Sequence, residues 1–164
     1  MKMNPSTAFT IRAARLIDLD QVVVLWGQLM EHHRSLEPRL YDTETHSPAT
    51  WRAWVRRKLD ESDSVIRVVE RDGTVVGYIL GSIGQRAPVY VVRTVGMIFD
   101  LVVDSDHRGQ GLGRALVDDL THEFNRRGIT DIQVNYDPNN QEASYFWQAL
   151  GFKTLLHEAY RRTE

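Results

Sequence analysis

One stretch of the sequence decides the fold, and it reads DSDHRGQGLGR at positions 104–114. It follows an apolar run at 97–103 that predicts a buried strand. It precedes a segment at 111–127 whose leucines recur at the spacing of an amphipathic helix. First-turn amides of a helix have no intrahelical partner and carry partial positive charge, so a glycine-rich turn here is suited to phosphate or pyrophosphate. Arg108 and Arg114 add the possibility of charge-assisted contacts.

Three kinds of turn compete at this strand-to-helix connection. A Walker A loop needs Gly-x-x-x-x-Gly-Lys-Ser/Thr, which the chain does not contain. A dinucleotide-binding turn needs a third glycine where Arg114 stands and an acid that closes the next strand, whereas Asp131 opens that strand. A glycine-rich turn that binds nothing stays open on these residues alone.

The hydrophobic pattern on both sides of the turn predicts an α/β domain. An Asp-Gly pair between two β-branched runs is a strong hairpin signal. The predicted order is β-α-α-β-β-β-α-β-α-β, with strands at 9–12, 65–69, 75–80, 97–103, 132–135 and 152–156 and helices at 18–33, 48–59, 111–127 and 139–150. Asn139 and Glu142 are expected to form a capping box at the start of the last helix. Residues 82–94 fit either a loop or an extension of a strand.

Length and composition limit the function classes. A chain of 164 residues, 42% hydrophobic and 26% charged, predicts one globular domain over 1–164. Its net charge of −2 argues against a dedicated nucleic-acid binder, and the absence of cysteine excludes a cysteine acyl-enzyme and Cys-ligated metals. No apolar run is long enough for a membrane span, and residues 1–6 lack the apolar stretch of a signal peptide. We therefore expect a cytoplasmic protein.

The motifs around the glycine-rich turn are similar to those of a known family. Arg108-x-x-Gly111-x-Gly113 resembles the Gln/Arg-x-x-Gly-x-Gly/Ala signature of the GNAT superfamily of acyl-CoA-dependent N-acetyltransferases. The preceding run FDLVVD at 99–104 resembles the family's strand before the loop. The segment NQEASYFWQALGF at 140–152 resembles its final helix and Leu-Gly-Phe ending. The resemblance spans about residues 64–156.

The resemblance implies a fold, a cofactor and a reaction. The implied fold is a single GNAT-like α/β domain whose mixed central sheet has about six to seven strands, with helices on both faces and two central strands splayed apart. The implied reaction transfers an acetyl group from acetyl-CoA directly to a primary amine of a small molecule, peptide or protein. A homodimer is compatible with it. A CoA-binding sensor or adaptor with little catalysis is the alternative.

The resemblance also implies which residues bind the cofactor. The pantetheine arm is expected to pair with the main chain of Leu101, Val102 and Val103. The pyrophosphate is expected to lie within a turn made of Arg108, Gly109, Gln110, Gly111, Leu112, Gly113 and Arg114. Asn140 and Ala143 are expected to face the cofactor from the last helix.

The catalytic residues are less well defined by the family pattern. Many members carry a tyrosine that protonates the leaving sulfur where this chain has Trp147, whose indole N–H donates a hydrogen bond but supplies no proton near neutral pH. Tyr145 is a candidate substitute, although it lies about 200° around the helix. Asp100 is the only acid in its strand and the candidate general base. Strict alternation places it on the face opposite Met97, and a purely structural carboxylate stays open.

The resemblance further implies that the end of the first helix and the following loop border the acceptor groove. Glu31, His32 and Tyr41 are its candidate acceptor-binding residues, and acids in this region would suit a cationic amine. A solvated helix end is the alternative. Adjacent His32 and His33 point about 100° apart on a helix, so no metal site is predicted. The tryptophans of the two early helices are predicted to fill the core, and the arginines of the second helix to face solvent; these are Trp26, Trp51, Trp54, Arg52, Arg56 and Arg57.

Overall fold

A computed structural model of the protein describes residues 8–161 and 163. Residues 1–6, on which the expectation of no signal peptide rests, lie outside the described residues. The strands are β1 (Thr10–Ala13), β2 (Ser64–Arg71), β3 (Thr74–Gln85), β4 (Thr94–Val103) and β5 (Ile132–Val134). The helices are α1 (Leu19–Leu36), α2 (Pro38–Tyr41), α3 (Ser47–Asp60), α4 (Leu112–Arg126) and α5 (Gln141–Ala149).

The five strands form one mixed sheet in the order β1-β2-β3-β4-β5. The pairs from β1 to β4 are antiparallel, and β4 pairs with β5 in parallel. The predicted hairpin between β2 and β3 forms because Asp72 and Gly73 both adopt positive φ, at 50° and 78°. Two such residues make the turn whose twist matches that of the flanking strands.

Helices cover both faces of the sheet and divide the core in two, as predicted. On one face, α1 and α3 pack over alternate residues of β2, β3 and β4; the buried residues there include Leu19, Val22, Val55, Val68, Tyr78, Leu80 and Val102. On the other face, α4 and α5 pack over the intervening residues; these include Val69, Ile79, Ile98, Leu116, Leu120, Phe124 and Trp147. The chain therefore builds one domain around a sheet that is buried on both sides.

The pairing between β4 and β5 is short, and this is where the sheet splays. Their register covers Gly96 to Ile98 against Ile132 to Val134, and β4 then continues to Val103 with no partner on that side among the described residues. On the other side of β4 the register with β3 shifts, since Leu80 lies opposite Asp100 while Gly81 lies opposite Ile98. Phe99 is the extra residue of a β-bulge, which twists and bends a strand. The predicted splay thus begins at a bulge.

The sheet has fewer strands than the six to seven predicted. The expected strand at 152–156 is absent: the tail after α5 is irregular through position 161. The Phe152 amide instead donates to the Trp147 carbonyl and closes α5, with Gly151 in the left-handed region at φ 88°. The tail therefore does not pair with β5, and no described strand lies along the outer edge of β5. For the same reason β5 is an edge strand, and only β4 of the splayed pair is central.

Two local expectations are also resolved. Residues 82–94 divide between the two alternatives, since β3 extends to Gln85 and a loop spans 86–93. The predicted capping box of Asn139 and Glu142 is wrong by one position. Asn140 caps α5, because its Oδ1 accepts a hydrogen bond from the Ala143 amide at 3.0 Å. The Asn139 amide is instead turned back to the Asp137 carboxylate.

The close approach of α4 to β4 requires glycine at position 96. A Cβ there would lie 2.5 Å from the ring of the fully buried Phe124. We expect Gly96→Ala to lower the free energy of unfolding by about 1–3 kcal/mol through overpacking. Gly27→Ala is the matched control in α1: nothing lies within 4 Å of its added Cβ, and helix propensity favours alanine by about 0.5–1 kcal/mol. Urea denaturation measures both, and equal effects at the two positions would contradict this packing.

Candidate functional site

A free strand edge lies in the gap between β4 and β5. The Asp104 amide donates to the Val76 carbonyl of β3, so by alternation the main chain of Val102 also faces β3. The N–H and C=O groups of Leu101 and Val103 then face the gap. Main-chain groups of this kind need partners, and an extended chain rich in amides supplies them in the manner of an added strand. Two of the three predicted residues are thus directed toward the gap.

The glycine-rich turn leaves the N-terminus of α4 open. Gly109 and Gly111 have φ values of 72° and 81°, and nothing lies within 4 Å of a Cβ added to either. Gly111 is the N-cap of α4, and no side chain caps the helix there. Residues 108–111 are exposed, while Leu112 is buried beneath them. The first-turn amides of this 15-residue helix are therefore accessible, as a diphosphate site requires.

Three guanidinium groups surround this turn. Arg108 Nε donates to the Val103 carbonyl at 3.1 Å, which holds the side chain at the end of the gap. Arg71 of the β2–β3 hairpin donates to Gln110 Oε1, and Arg114 contacts the Ala149 carbonyl at 3.4 Å. Open amides, positive-φ glycines and nearby arginines fit a diphosphate, and the free edge of β4 fits an extended arm attached to it.

Asn140 and Ala143 have a structural explanation beside the predicted one. Asn140 spans two helices: its Oδ1 caps α5, and its Nδ2 lies 3.1 Å from His32 Nε2 on α1. Because Oδ1 accepts from the Ala143 amide, Nδ2 is the donor and His32 Nε2 the acceptor. Ala143 packs on the core beneath α4 and α5. Their contact with a cofactor stays a prediction.

Asp100 lies at the bulge, and its carboxyl group is perturbed. Tyr78 Oη donates a hydrogen bond to Asp100 Oδ2 at 3.1 Å. Burial raises the pKa of Asp100 to about 6, against the opposing effect of this hydrogen bond. Burial and the adjacent carboxylate raise the pKa of Tyr78 well above its ordinary value, so the phenol stays protonated as the donor.

The expected orientation of Asp100 is wrong. Asp100 lies opposite Leu80 and Met97 opposite Ser82, and Leu80 and Ser82 share a face of β3. The two residues therefore share a face as well, on the side of α1 and α3. Strict alternation fails because Phe99 is inserted between the two paired segments.

Asp100 opens into a large aromatic cavity that the sequence reasoning missed. The cavity has a volume of about 830 Å³, within the size range of ligand pockets. Its lining comprises Trp26, Thr43, Glu44, Ser47, Thr50, Trp51, Ala53, Trp54, Arg57, Phe99 and Asp100. The sequence predicts that the three tryptophans of this lining fill the core. Trp26 is buried, but Trp51 and Trp54 are only partly so. The available signal was the i, i+3 spacing of Trp51 and Trp54 on one helix, but the bulge that brings Phe99 beside them leaves no mark in the sequence.

The two aromatic candidates on α5 lie in very different surroundings. Trp147 is 5% exposed and packs edge-on between Phe146 and Phe152, at centroid distances of 5.0 and 5.1 Å. Tyr145 is 71% exposed. The core on which Trp147 packs lies on the opposite face of the sheet from Asp100. Neither placement supplies a second group for proton transfer beside Asp100.

The predicted acceptor residues lie outside the cavity. His32 contacts Asn140, and Tyr41 packs on His33 with ring centroids 4.7 Å apart. Glu31 pairs with Arg34 on the surface of α1. Among the described residues, the loop after α2 contributes Thr43 and Glu44 to the lining instead. That Glu31, His32 and Tyr41 contact the acceptor stays a prediction.

Residues 8–161 and 163 contain neither a membrane-spanning helix nor a metal-binding cluster. Within them, no helix combines the length and apolarity needed to cross a bilayer. The same residues contain no group of three or more histidine and carboxylate side chains arranged to hold a metal ion.

Comparisons with known proteins agree with this geometry. Residues 26–152 match the family model described as Acetyltransferase (GNAT) family. Over 86 residues the chain is 31% identical to the [ribosomal protein bS18]-alanine N-acetyltransferase of Escherichia coli K12, an alignment that covers 51% of this chain and 58% of that protein. The chain thus spans less than two thirds of the length of this relative.

Solved structures show the same fold at lower identity. A mutant of the BH1408 protein from Bacillus halodurans superposes with a TM-score of 0.83 at 21% identity, covering 94% of this chain and 99% of the other. Aminoglycoside N-acetyltransferase AAC(6')-Iy in complex with CoA gives a TM-score of 0.77 at 18% identity, covering 98% and 99%. At these identities the likeness shows the fold alone.

The raised pKa of Asp100 predicts how stability depends on pH. The folded chain holds this proton up to about pH 6, whereas an unfolded aspartate releases it near its ordinary pKa of 3.8. The folded state therefore binds more protons between these values, and the wild type loses stability as the pH rises through them. As the pH rises from 4 to 7, the free energy of unfolding of Asp100→Asn should increase by about 1–3 kcal/mol relative to that of the wild type, measured by urea denaturation. Tyr78→Phe should lose more stability with rising pH than the wild type does, because the variant lacks the hydrogen bond that lowers the pKa of Asp100. A pH-independent difference between wild type and Asp100→Asn would contradict the assignment.

Proposed function

Because the chain belongs to the acetyltransferase (GNAT) family, we propose that it transfers an acetyl group from acetyl-CoA directly to a primary amine of a small-molecule, peptide or protein acceptor. One observation carries the proposal: the end of the β4–β5 pairing, the bulge and the Asp100 carboxyl coincide at residues 98–100. The free strand edge and the aromatic cavity meet there. A donor held in the gap and an acceptor held in the cavity would meet at the same three residues.

The binding of acetyl-CoA is supported by the chain's own groups on the α4 side. The open amides of α4 and the side chains of Arg108 and Arg114 suit the diphosphate. The main chain of Leu101 and Val103 suits the pantetheine arm. When bound, acetyl-CoA would supply the thioester: its acyl carbon would bond to the amine nitrogen as the C–S bond breaks, the nitrogen would release its second proton to solvent, and CoA would leave as a thiolate that is protonated from solvent. Since the chain has no cysteine, no cysteine acyl-enzyme is involved.

Asp100 is the proposed general base. An incoming amine is protonated near neutral pH, and its nitrogen must lose a proton before it can attack. A carboxyl group with a pKa of about 6 is a stronger base than an ordinary aspartate and is still mostly ionised at pH 7.5. Tyr78 holds that carboxyl through Oδ2 and leaves Oδ1 free to accept the proton.

The departing sulfur needs less assistance. A thiol has a pKa near 8.5, so its thiolate is a tolerable leaving group. Trp147 offers an indole N–H that donates a hydrogen bond and no proton. The proposal therefore requires one proton-transfer residue and assigns no general acid.

The relatives are acetyltransferases with different acceptors. One is named for the alanine of ribosomal protein bS18 and another for aminoglycosides. These acceptors are properties of those proteins, and both contain the primary amine that the proposed reaction needs.

The glycine-rich turn gives the first test. Gly111→Ala places a Cβ on a residue at φ 81° and strains the backbone that presents the α4 amides. We expect the Kd for acetyl-CoA to rise about tenfold, which corresponds to about 1.4 kcal/mol. Gly128→Ala is the matched control, since it has a similar φ of 77° and equally open surroundings at the other end of α4. Titration calorimetry should show less than a twofold change there. No binding of acetyl-CoA by the wild type would end the proposal.

The carboxyl group gives the second test. Asp100→Asn should lower kcat/KM by about 100-fold at pH 8, because general base catalysis contributes at least that much. The ratio of wild type to variant should shrink as the pH falls through about 6, where the wild-type carboxylate is protonated. Asp118→Asn, an exposed acid on α4, is the control. Thiol release with a panel of amines measures the rates. Turnover no faster than in buffer for every amine would favour the CoA-binding sensor instead.

A further inference from the structure

We propose that the cavity beside Asp100 selects a monoamine carried on a flat aromatic body and discriminates against polyamines. The inference rests on the proposed function for the reaction, but it concerns binding and is tested by binding. It follows from the shape, chemistry and charge of the cavity walls.

One wall of the cavity includes the stacked rings of Trp26 and Trp51, and the fully buried Tyr78 behind them links Trp51 to the carboxyl group. The rings of Trp26 and Trp51 stack with centroids 5.0 Å apart and an interplanar angle of 16°. Trp51 then packs on Tyr78 at 6.0 Å, and the Tyr78 hydroxyl donates to Asp100. A ligand ring lying along this wall would bring an amine on a short tether to the carboxylate.

A second aromatic pair, Trp54 and Phe99, lines the same cavity. Their rings meet edge to face at 81°, with centroids 6.5 Å apart. Phe99 is 47% exposed although it belongs to a central strand, because the bulge turns it out beside Asp100. Apolar surface left exposed in a cavity gains free energy when a ligand covers it. The carboxyl group thus follows Phe99 directly in the chain and lines the same cavity as both aromatic pairs.

The charges around the cavity favour one amine over several. Asp100 and Glu44 are the two acids among the described residues that line the cavity; Asp100 adjoins Phe99, and Glu44 belongs to the loop after α2. Arg57 lines the same cavity and makes no salt bridge within the part of the chain that the structure describes. Lys58 lies 5.6 Å from the centroid of Trp54, but it pairs with Glu61 and does not line the cavity, so Arg57 is the cation among the described lining residues. A second ammonium group on the acceptor would therefore meet a cation, and like charges in contact repel.

Calorimetry with three amines tests the proposal on protein with and without saturating CoA. The probes are 2-phenylethylamine, n-butylamine and spermidine. We expect 2-phenylethylamine to bind at least about tenfold tighter than n-butylamine, since it buries a ring where the other buries an alkyl chain. Spermidine should bind more weakly than 2-phenylethylamine despite its higher charge. Equal affinities for the first two amines, or tighter binding of spermidine, would overturn the proposal.

Two sets of variants locate the effect. Trp54→Leu should reduce the preference for 2-phenylethylamine over n-butylamine to less than threefold while the Kd for acetyl-CoA stays unchanged, which also shows that the variant is folded. Arg57→Glu should strengthen spermidine binding at least fivefold. Arg56→Glu makes the same charge change at the neighbouring position of α3, which does not line the cavity. It should change the affinity for spermidine less than twofold. Equal effects of the two arginine substitutions would contradict the role of Arg57.

The failures of the two proposals are distinguishable. If acetyl-CoA does not bind, or if no amine is turned over, the proposed function fails, while amine binding to the protein without CoA still decides this inference. If amines are turned over but spermidine is preferred, the function stands and the selectivity is wrong.

Discussion

The site depends on one interruption of backbone pairing. Between Ile98 and Asp100, β4 stops bonding to β5 on one edge and shifts register against β3 on the other. The first change leaves main-chain groups without strand partners, and the second turns Phe99 and Asp100 toward α1 and α3. A regular strand would hide Asp100 or point it away from the aromatic side chains. The extra residue therefore creates the gap, the orientation of the carboxyl group and one wall of the cavity together.

Much of the fold followed from local signals. The Asp-Gly turn fixed the hairpin because two positive-φ residues there impose its twist, and the glycine-rich stretch marked the start of α4 because helix N-termini need uncovered amides. The α1/α3 and α4/α5 layers also followed from helical periodicity. The strand predicted at 152–156 does not form, although β5 leaves an edge open, because strand formation depends on tertiary pairing that local sequence does not specify.

The site was predictable only where it is local. The turn around Gly111 is one continuous segment, so its residues could be named in advance. The cavity gathers side chains from α1, α3 and β4, and their meeting depends on the register of the sheet. Trp54 and Asp100 are 46 positions apart, and no periodicity links them. The candidates His32 and Tyr41 contact Asn140 and His33 and do not line the cavity, and their role in binding an acceptor stays a prediction.

The division of the core by the sheet has a consequence for how such a chain can change. The features suited to the donor belong to β4 and the α4 layer, whereas those suited to the acceptor belong to α1 and α3. Besides the bulge, contacts between the two sides include Asn140 with His32 and Gln28 with Asp104, and neither pair lines the aromatic cavity. Substitutions in groups that share no partners combine additively. Substitutions among the aromatic residues that line the cavity are therefore expected to change the binding of an acceptor with little effect on the residues of the glycine-rich turn.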